Sequence, residues 1–148
     1  VKIILCDIDG VIANIGHRLH YVKDGRADWE PFFDACGDDE PIWPMIYLLQ
    51  NLQLCYRMAY ITGRPERIRQ KTEYWFQTHG VPWNSAIGTL MMRQDGDKRK
   101  DQIIKLELFQ KYIQDPAKVA AVFEDRDPVV EMWRKQGLLC LQPVKGNY

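Results

Sequence analysis

The amino-acid sequence predicts an α/β protein: a Rossmann-like, doubly wound, five-stranded and mainly parallel sheet with a small insertion after the first strand. Three observations lead there. Five short apolar runs recur along the 148 residues, segments of helical period lie between them, and acidic, basic and hydroxyl side chains gather directly after the runs. Strands buried on both faces read as near-continuous apolar runs, and alternation of strand with helix implies a parallel sheet covered on both sides. Ligands of such sheets bind at the carboxyl ends of the strands.

The first strand is expected at KIILC, residues 2–6, and IILCDIDGV then drives it into two carboxylates one residue apart, Asp7 and Asp9, followed by Gly10. Residues 12–43 carry Gly16, Gly25, Gly37, Pro31 and Pro41 with scattered aromatics, and only a weak helical pattern around DWEPFFDAC. They are expected to form the insertion, lying over one edge of the sheet. A helix follows Pro44, with Met45, Leu48, Leu49 and Leu52 on one face, and RMAYI at 57–61 is the second strand. Ile68, Thr72, Trp75, Phe76 and His79 mark the next helix after Pro65, and IGTLM at 87–91 the third strand. Ile104, Leu108 and Tyr112 give a further helix, VAAVF at 119–123 the fourth strand, Val129, Met132 and Trp133 after Pro128 the last helix, and LLCLQ at 138–142 the fifth strand. Proline in the first turn of three of these helices removes an N–H that would be unpaired in any case.

At this length and with 46% hydrophobic content, residues 1–148 suit a single domain with a real core. Twenty basic and twenty acidic side chains cancel, so no long-range field draws the chain to nucleic acid or to an anionic membrane. An anion must be bound locally. Cys6, Cys36, Cys55 and Cys140 are widely spaced with no C-x-x-C pair, which implies reduced thiols and a reducing compartment. No run approaches the length of a membrane span and Asp7 cuts the first one short, so neither signal peptide nor anchor is expected, and the location expected is cytoplasmic.

Two carboxylates crowded at the end of a buried strand need compensating positive charge. A magnesium ion takes oxygen ligands and keeps several waters, so carboxylates from two neighbouring strands suffice to hold it, with Asp7 and Asp125 as the candidates. Thr62, Arg64 and Lys100 would then hold oxygens of a phosphoryl group bridging the metal. Asp7, relieved of repulsion by Lys100, would attack phosphorus and form an aspartyl phosphate. Asp9 is placed to protonate the leaving oxygen and later to deprotonate the attacking water, roles that need a carboxyl of raised pKa.

The ordered set DIDGV, ITGR, DKRKD and FEDRD, each after an apolar strand, resembles the four motifs of the haloacid dehalogenase superfamily of phosphatases. More narrowly, TGRPERIRQKTEYW, GDKRKDQIIK, FEDRDPVVEMWRKQGLLCLQ and GNY are similar to the 3′-phosphatase half of phage polynucleotide kinase/phosphatases, over nearly the whole chain and most closely after residue 44. The resemblance implies a HAD-like fold and a magnesium-dependent phosphoric monoester hydrolase of nucleic-acid repair. It implies Asp7 as nucleophile, Asp9 as acid and base, Thr62 and Lys100 on the phosphate, and Asp7, Asp125 and the Asp9 carbonyl on the metal. Arg18, Gly63, Arg64 and Asp97 match substrate-side positions. Residues 12–43, with GHRLH and ADWEPFF, fit the phage pattern loosely, and Glu124 stands where aspartate is more usual. No G-x-x-x-x-G-K-[ST] loop occurs, so these residues hold no kinase half.

The expected substrate is a 3′-phosphorylated DNA or RNA end, with a free nucleotide or another small phosphomonoester as the alternative. Arg64, Arg67, Arg93, Lys98 and Arg99 would hold a strand's phosphates locally. Trp29, Phe32 and Phe33 either stack a base or pack the insertion onto the sheet. Asp101 and Asp127, before helices, are expected as N-caps, and the charge run at 93–101 as a solvated loop. Trp75, Phe76, Met132 and Trp133 are expected in the core, and His17, His20 and His79 show no ligand spacing. A D-x-D-G alone is ordinary turn chemistry; joint occurrence at one sheet edge is what favours phosphoryl chemistry. A receiver-like phospho-signalling domain would place its aspartate directly after the third strand, where MRQDGD offers none at the strand's immediate end. A phosphatase-like fold that only binds phosphorylated partners would be expected to have lost part of the acidic and basic set, which is complete here.

Overall fold

The computed structural model describes residues 1–148. In chain order the elements are β1 (Ile3–Cys6), β2 (Ala13–Asn14), α1 (Trp29–Asp34), β3 (Glu40–Pro41), α2 (Trp43–Leu52), β4 (Arg57–Pro65), α3 (Arg69–His79), β5 (Leu90–Arg93), α4 (Asp101–Tyr112), β6 (Val119–Phe123), α5 (Asp127–Lys135) and β7 (Cys140–Leu141). Five strands form one sheet in the order β5-β4-β1-β6-β7, and every pairing in it is parallel. The predicted α/β sheet is therefore present, with β1 at its centre.

Alternation along the strands divides the core in two. Ile4, Cys6, Met58 and Tyr60 face one side, where they pack with Ile46 and Leu49 of α2 and Trp75 and Phe76 of α3. Leu5, Ala59, Ile61 and Val122 face the other, against Phe109 of α4 and Val129, Met132 and Trp133 of α5. The sheet is thus covered on both faces, and the four aromatic and methionine side chains expected in the core lie there. All four cysteines are free thiols, Cys55 alone being exposed. No helix is long and apolar enough to cross a membrane.

Two strands differ from their sequence reading. The third begins at Leu90, not Ile87: Ile87 is 93% exposed and Gly88 takes φ +81°, so IGT is a left-handed turn ahead of the strand. The second continues through Thr62-Gly63-Arg64 to Pro65, with its register against β5 broken between Ile61 and Pro65. The insertion is closed at its neck by the antiparallel pair β2 and β3 and by the Ile42 N–H donating to the Ile12 carbonyl at 2.8 Å. Within it lie α1 and two short 3-10 turns, at 16–21 and 35–38.

Candidate active site

Parallel neighbours deliver the acidic cluster. The Asp7 N–H continues the β1 ladder by donating to the Phe123 carbonyl at 2.9 Å, which puts Asp7 beside the residues that follow β6, Glu124 and Asp125. Carboxylate oxygens of Asp7, Glu124 and Asp125 all lie within 4.8 Å of one another, and all three residues are buried. Gly10 is what lets them meet: its φ is +80°, and a Cβ there would stand 2.1 Å from Asp125 Oδ2. Burial, then the neighbouring Glu124, pushes the Asp7 carboxyl well above the usual range. Burial, then Asp7, pushes Asp125 up to about 7.

One buried cation answers this charge. Lys105 Nζ lies 2.7 Å from Glu124 Oε2, 3.0 Å from Asp7 Oδ1 and 3.4 Å from Asp101 Oδ2. Burial works against its charge, but the three carboxylates carry the ammonium well above its ordinary pKa. Asp101 also receives Arg93 at 2.9 Å and lies 3.7 Å from Arg126; burial would raise it, yet Lys105, Arg126 and Arg93 together hold it below the ordinary carboxylate range. Gly63 admits this carboxylate, because a Cβ at Gly63 would lie 2.2 Å from Asp101 Oδ1.

A second constellation holds Asp9. Its Oδ1 accepts from Arg18 Nη2 at 2.6 Å and from Arg64 Nε and Nη2 at 3.0 and 2.6 Å. Asp39, buried in the insertion, accepts from Arg18 Nε and Nη2 and from Arg64 Nη2, and His17 Nε2 lies 2.7 Å from its Oδ1. Both arginines are wholly buried, and their remaining donors reach the Phe32 carbonyl and Thr72. Burial alone would raise Asp9, but Arg64 and then Arg18 outweigh it and bring its pKa to about 2. The raised pKa expected of Asp9 is therefore corrected: two buried guanidinium groups keep it ionised.

The structure brings together Asp7, Glu124 and Asp125, and sets Asp9, Arg18 and Arg64 beside them. Thr62 is buried in the broken register of β4, its Oγ1 accepting the Arg64 N–H at 3.2 Å. Two expected residues stand apart. Lys100 is the exposed N-cap of α4, and Asp97 pairs with Arg99 at 2.8 Å in the loop ahead of it. Asp101 is no N-cap; it is the first residue of α4 and points inward. Sequence reasoning missed Lys105, although Ile104 and Leu108 mark the inward face of α4 and place Asp101 and Lys105 on it at i, i+4 spacing.

The donor set suits a divalent cation. Asp125 Oδ1 is buried without a hydrogen-bond partner. With Asp101 answered by Arg93, three carboxylates face one ammonium, which leaves two negative charges for a small hard dication to balance.

Comparison with known proteins agrees with this geometry. Residues 1–148 match the family described as the polynucleotide kinase PNKP phosphatase domain. A protein of Autographa californica nuclear polyhedrosis virus, named as a bifunctional polynucleotide kinase/RNA ligase, is 31% identical over 135 residues, 90% of this chain and 18% of that protein. Among solved structures, a chain of a Pnkp1/Rnl/Hen1 complex superposes with a TM-score of 0.80 at 28% identity, covering 99% of this chain and 47% of that one. A chain of the Pnkp1/Rnl/Hen1 RNA repair complex gives the same score and identity over 43% of its length. The chain thus spans less than half the length of each of these relatives.

Proposed function

Because the chain belongs to the family of the polynucleotide kinase PNKP phosphatase domain, and is a hydrolase, we propose that it is a magnesium-dependent phosphomonoesterase that works through an aspartyl phosphate on Asp7 and acts on 3′-phosphorylated nucleic-acid ends. The observation that carries this reading is Asp7, buried at the end of β1 within 3.0 Å of Lys105 and inside the Glu124–Asp125 cluster. Asp7, Asp125 and the Asp9 carbonyl, with Glu124 beside them, would hold a magnesium ion, which would supply positive charge for the phosphoryl oxygens.

Lys105 orients Asp7 and opposes the burial and acidic neighbours that raise its pKa; ionised beside a bound dication, Asp7 would attack phosphorus as the bond to the leaving oxygen breaks. The entering phosphate is a like charge beside Asp9 and raises its pKa from the resting value, so that Asp9 carries a proton to the leaving oxygen. In the second half Asp9, ionised again through Arg18 and Arg64, takes a proton from the water that attacks the aspartyl phosphate and releases inorganic phosphate. Asp9 Oδ1 is held by the arginines, which leaves Oδ2 for these transfers. Thr62 offers its hydroxyl to a phosphoryl oxygen. Lys98 and Lys100, on the exposed loop after β5, supply the phosphate contacts a short strand needs, while Arg99 between them is held by Asp97 and Glu107. The names of the relatives, a polynucleotide kinase/RNA ligase and an RNA repair complex, support nucleic-acid ends over other phosphomonoesters.

The test is phosphate release measured side by side on 3′-phosphorylated oligonucleotide, 5′-phosphorylated oligonucleotide, mononucleotide and glycerol 2-phosphate. The 3′-phosphorylated end is expected to be preferred by about tenfold or more, with Asp7→Asn and excess EDTA each lowering turnover by on the order of 10³-fold. Turnover that survives in Asp7→Asn removes Asp7 as nucleophile; preference for glycerol 2-phosphate overturns the substrate while leaving the chemistry.

A further inference from the structure

The stretch after β7 is fastened to the acidic cluster. Gln142 Nε2 donates to the Asp125 carbonyl at 2.8 Å, and the Gly146 N–H donates to the same oxygen at 2.7 Å. A Cβ on Gly146 would lie 2.5 Å from Asp125 Oδ2, so a larger residue there would drive the chain off the carboxylate. Two residues on, Tyr148 turns back across the site. Its hydroxyl donates to the Asp9 carbonyl at 3.3 Å, its ring lies 4.9 Å from the Arg126 guanidinium carbon, and its centroid is 6.2 Å from that of Phe32. Burial, then Asp125, Asp7 and Asp9, pushes its phenol well above the ordinary value, as befits a ring standing among the carboxylates. Part of the residue still reaches solvent.

Tyr148 therefore joins two walls of the site that are far apart in sequence: Arg126, directly after Asp125, and Phe32, on α1 of the insertion. The Tyr148 hydroxyl is engaged with the Asp9 carbonyl, and the ring that remains has little to offer a phosphoryl dianion. It has much to offer what the phosphate is attached to. Attack by Asp7 is in line, so the leaving group departs on the side of phosphorus away from Asp7, and Arg126 and Tyr148, both partly exposed beside Asp125, are the groups placed to meet it there. Resting on the reading of Asp7 as nucleophile, we propose that Tyr148 is a specificity-determining residue whose ring receives the leaving nucleoside, favouring substrates with a planar base over aliphatic phosphomonoesters.

The measured quantity is the ratio of kcat/KM for 3′-phosphorylated oligonucleotide to kcat/KM for glycerol 2-phosphate, in the parent chain and in Tyr148→Ala, Tyr148→Leu and Tyr148→Phe. Loss of one stacked base costs roughly 10- to 100-fold, so the ratio is expected to fall by at least about tenfold in Tyr148→Ala and Tyr148→Leu, mainly through KM, and to be kept in Tyr148→Phe. Anisotropy of a labelled 3′-phosphorylated oligonucleotide on the same variants, each carrying Asp7→Asn, reads binding without turnover and is expected to show the same order. A parent that binds the oligonucleotide but releases no phosphate defeats the phosphatase reading, while the binding series still decides Tyr148. A ratio that stays constant because both substrates lose equally, or a Tyr148→Phe that falls with Tyr148→Ala, assigns the residue to holding the Asp9 carbonyl instead and overturns the proposal.

Discussion

Two lysines five residues apart have opposite fates, and the reason is direction. Lys100 occupies the N-cap position of α4 with its side chain exposed; Lys105, one turn and a third further along, points at the sheet and is wholly buried. A lysine out of water persists as a cation only if carboxylates surround it, and Asp7, Glu124 and Asp101 do so. Lys105→Met is expected to lower kcat/KM for phosphate release by about 100-fold or more, because Asp7 loses the cation that offsets its burial and its acidic neighbours, and its protonated form is favoured further. Lys100→Ala is expected to stay within about threefold, through a lost phosphate contact alone. Circular dichroism on both variants separates this from unfolding. If the Lys100 variant proves the more damaged, the phosphoryl group meets the loop and not the helix.

At the scale of elements, α4 and β4 are locked by a contact that tolerates no side chain. The start of α4 inserts the Asp101 carboxylate against the backbone of β4 at Gly63, whose carbonyl also accepts from Arg93 Nε at 2.9 Å. Gly63→Ala would put a methyl group 2.2 Å from Asp101 Oδ1, and that carboxylate has little freedom because Arg93 and Lys105 hold it. The expected result is a loss of about 1–3 kcal/mol in urea unfolding together with a lower kcat, since Lys105 moves when Asp101 does. Unchanged unfolding would mean that α4 slides at no cost. The sequence reading sets the glycine of TGR against substrate; what the structure shows at that position is the notch that admits Asp101. The buried strands were legible because parallel strands covered on both faces leave apolar runs, and β1, β4 and β6 fell close to where those runs stand. The third was displaced by Gly88, whose left-handed turn is invisible to hydropathy. Lys105 was obscured because a charged residue on an apolar helix face looks like an error in the period until its partners, 98 and 19 positions away, are in place.

The whole molecule is joined to its insertion by charge more than by sheet. Arg18 and Asp39 come from the insertion, Asp9 from the end of β1 and Arg64 from β4, and no side chain of the four is more than 9% exposed. No spacing announced the arrangement, since its members lie 9, 21, 25 and 55 residues apart along the chain and follow no period; the resemblance pointed to Asp9, Arg18 and Arg64 singly, and Asp39 had no signal at all. Its pH dependence follows from Asp9. The folded pKa of about 2 lies below the ordinary 3.8, so ionised Asp9 stabilises the fold at neutral pH, and that contribution fades as pH falls from about 4 through 2. A shift of that size corresponds to about 2 kcal/mol. Asp39, on the same arginines, is pushed upward by burial ahead of the lowering bond from Arg18, so the parent's own profile mixes two opposite contributions. The difference between the parent and Asp9→Asn isolates the one of interest. Urea unfolding followed by tryptophan fluorescence is expected to show the parent ahead by about 2 kcal/mol or more at pH 6, because Asn leaves both arginines under-compensated, with the gap narrowing steadily below about pH 4. A gap that stays constant down to pH 2 would mean that Asp9 holds its arginines by shape and hydrogen bonding alone, and that its charge at neutral pH contributes nothing to keeping the insertion on the sheet.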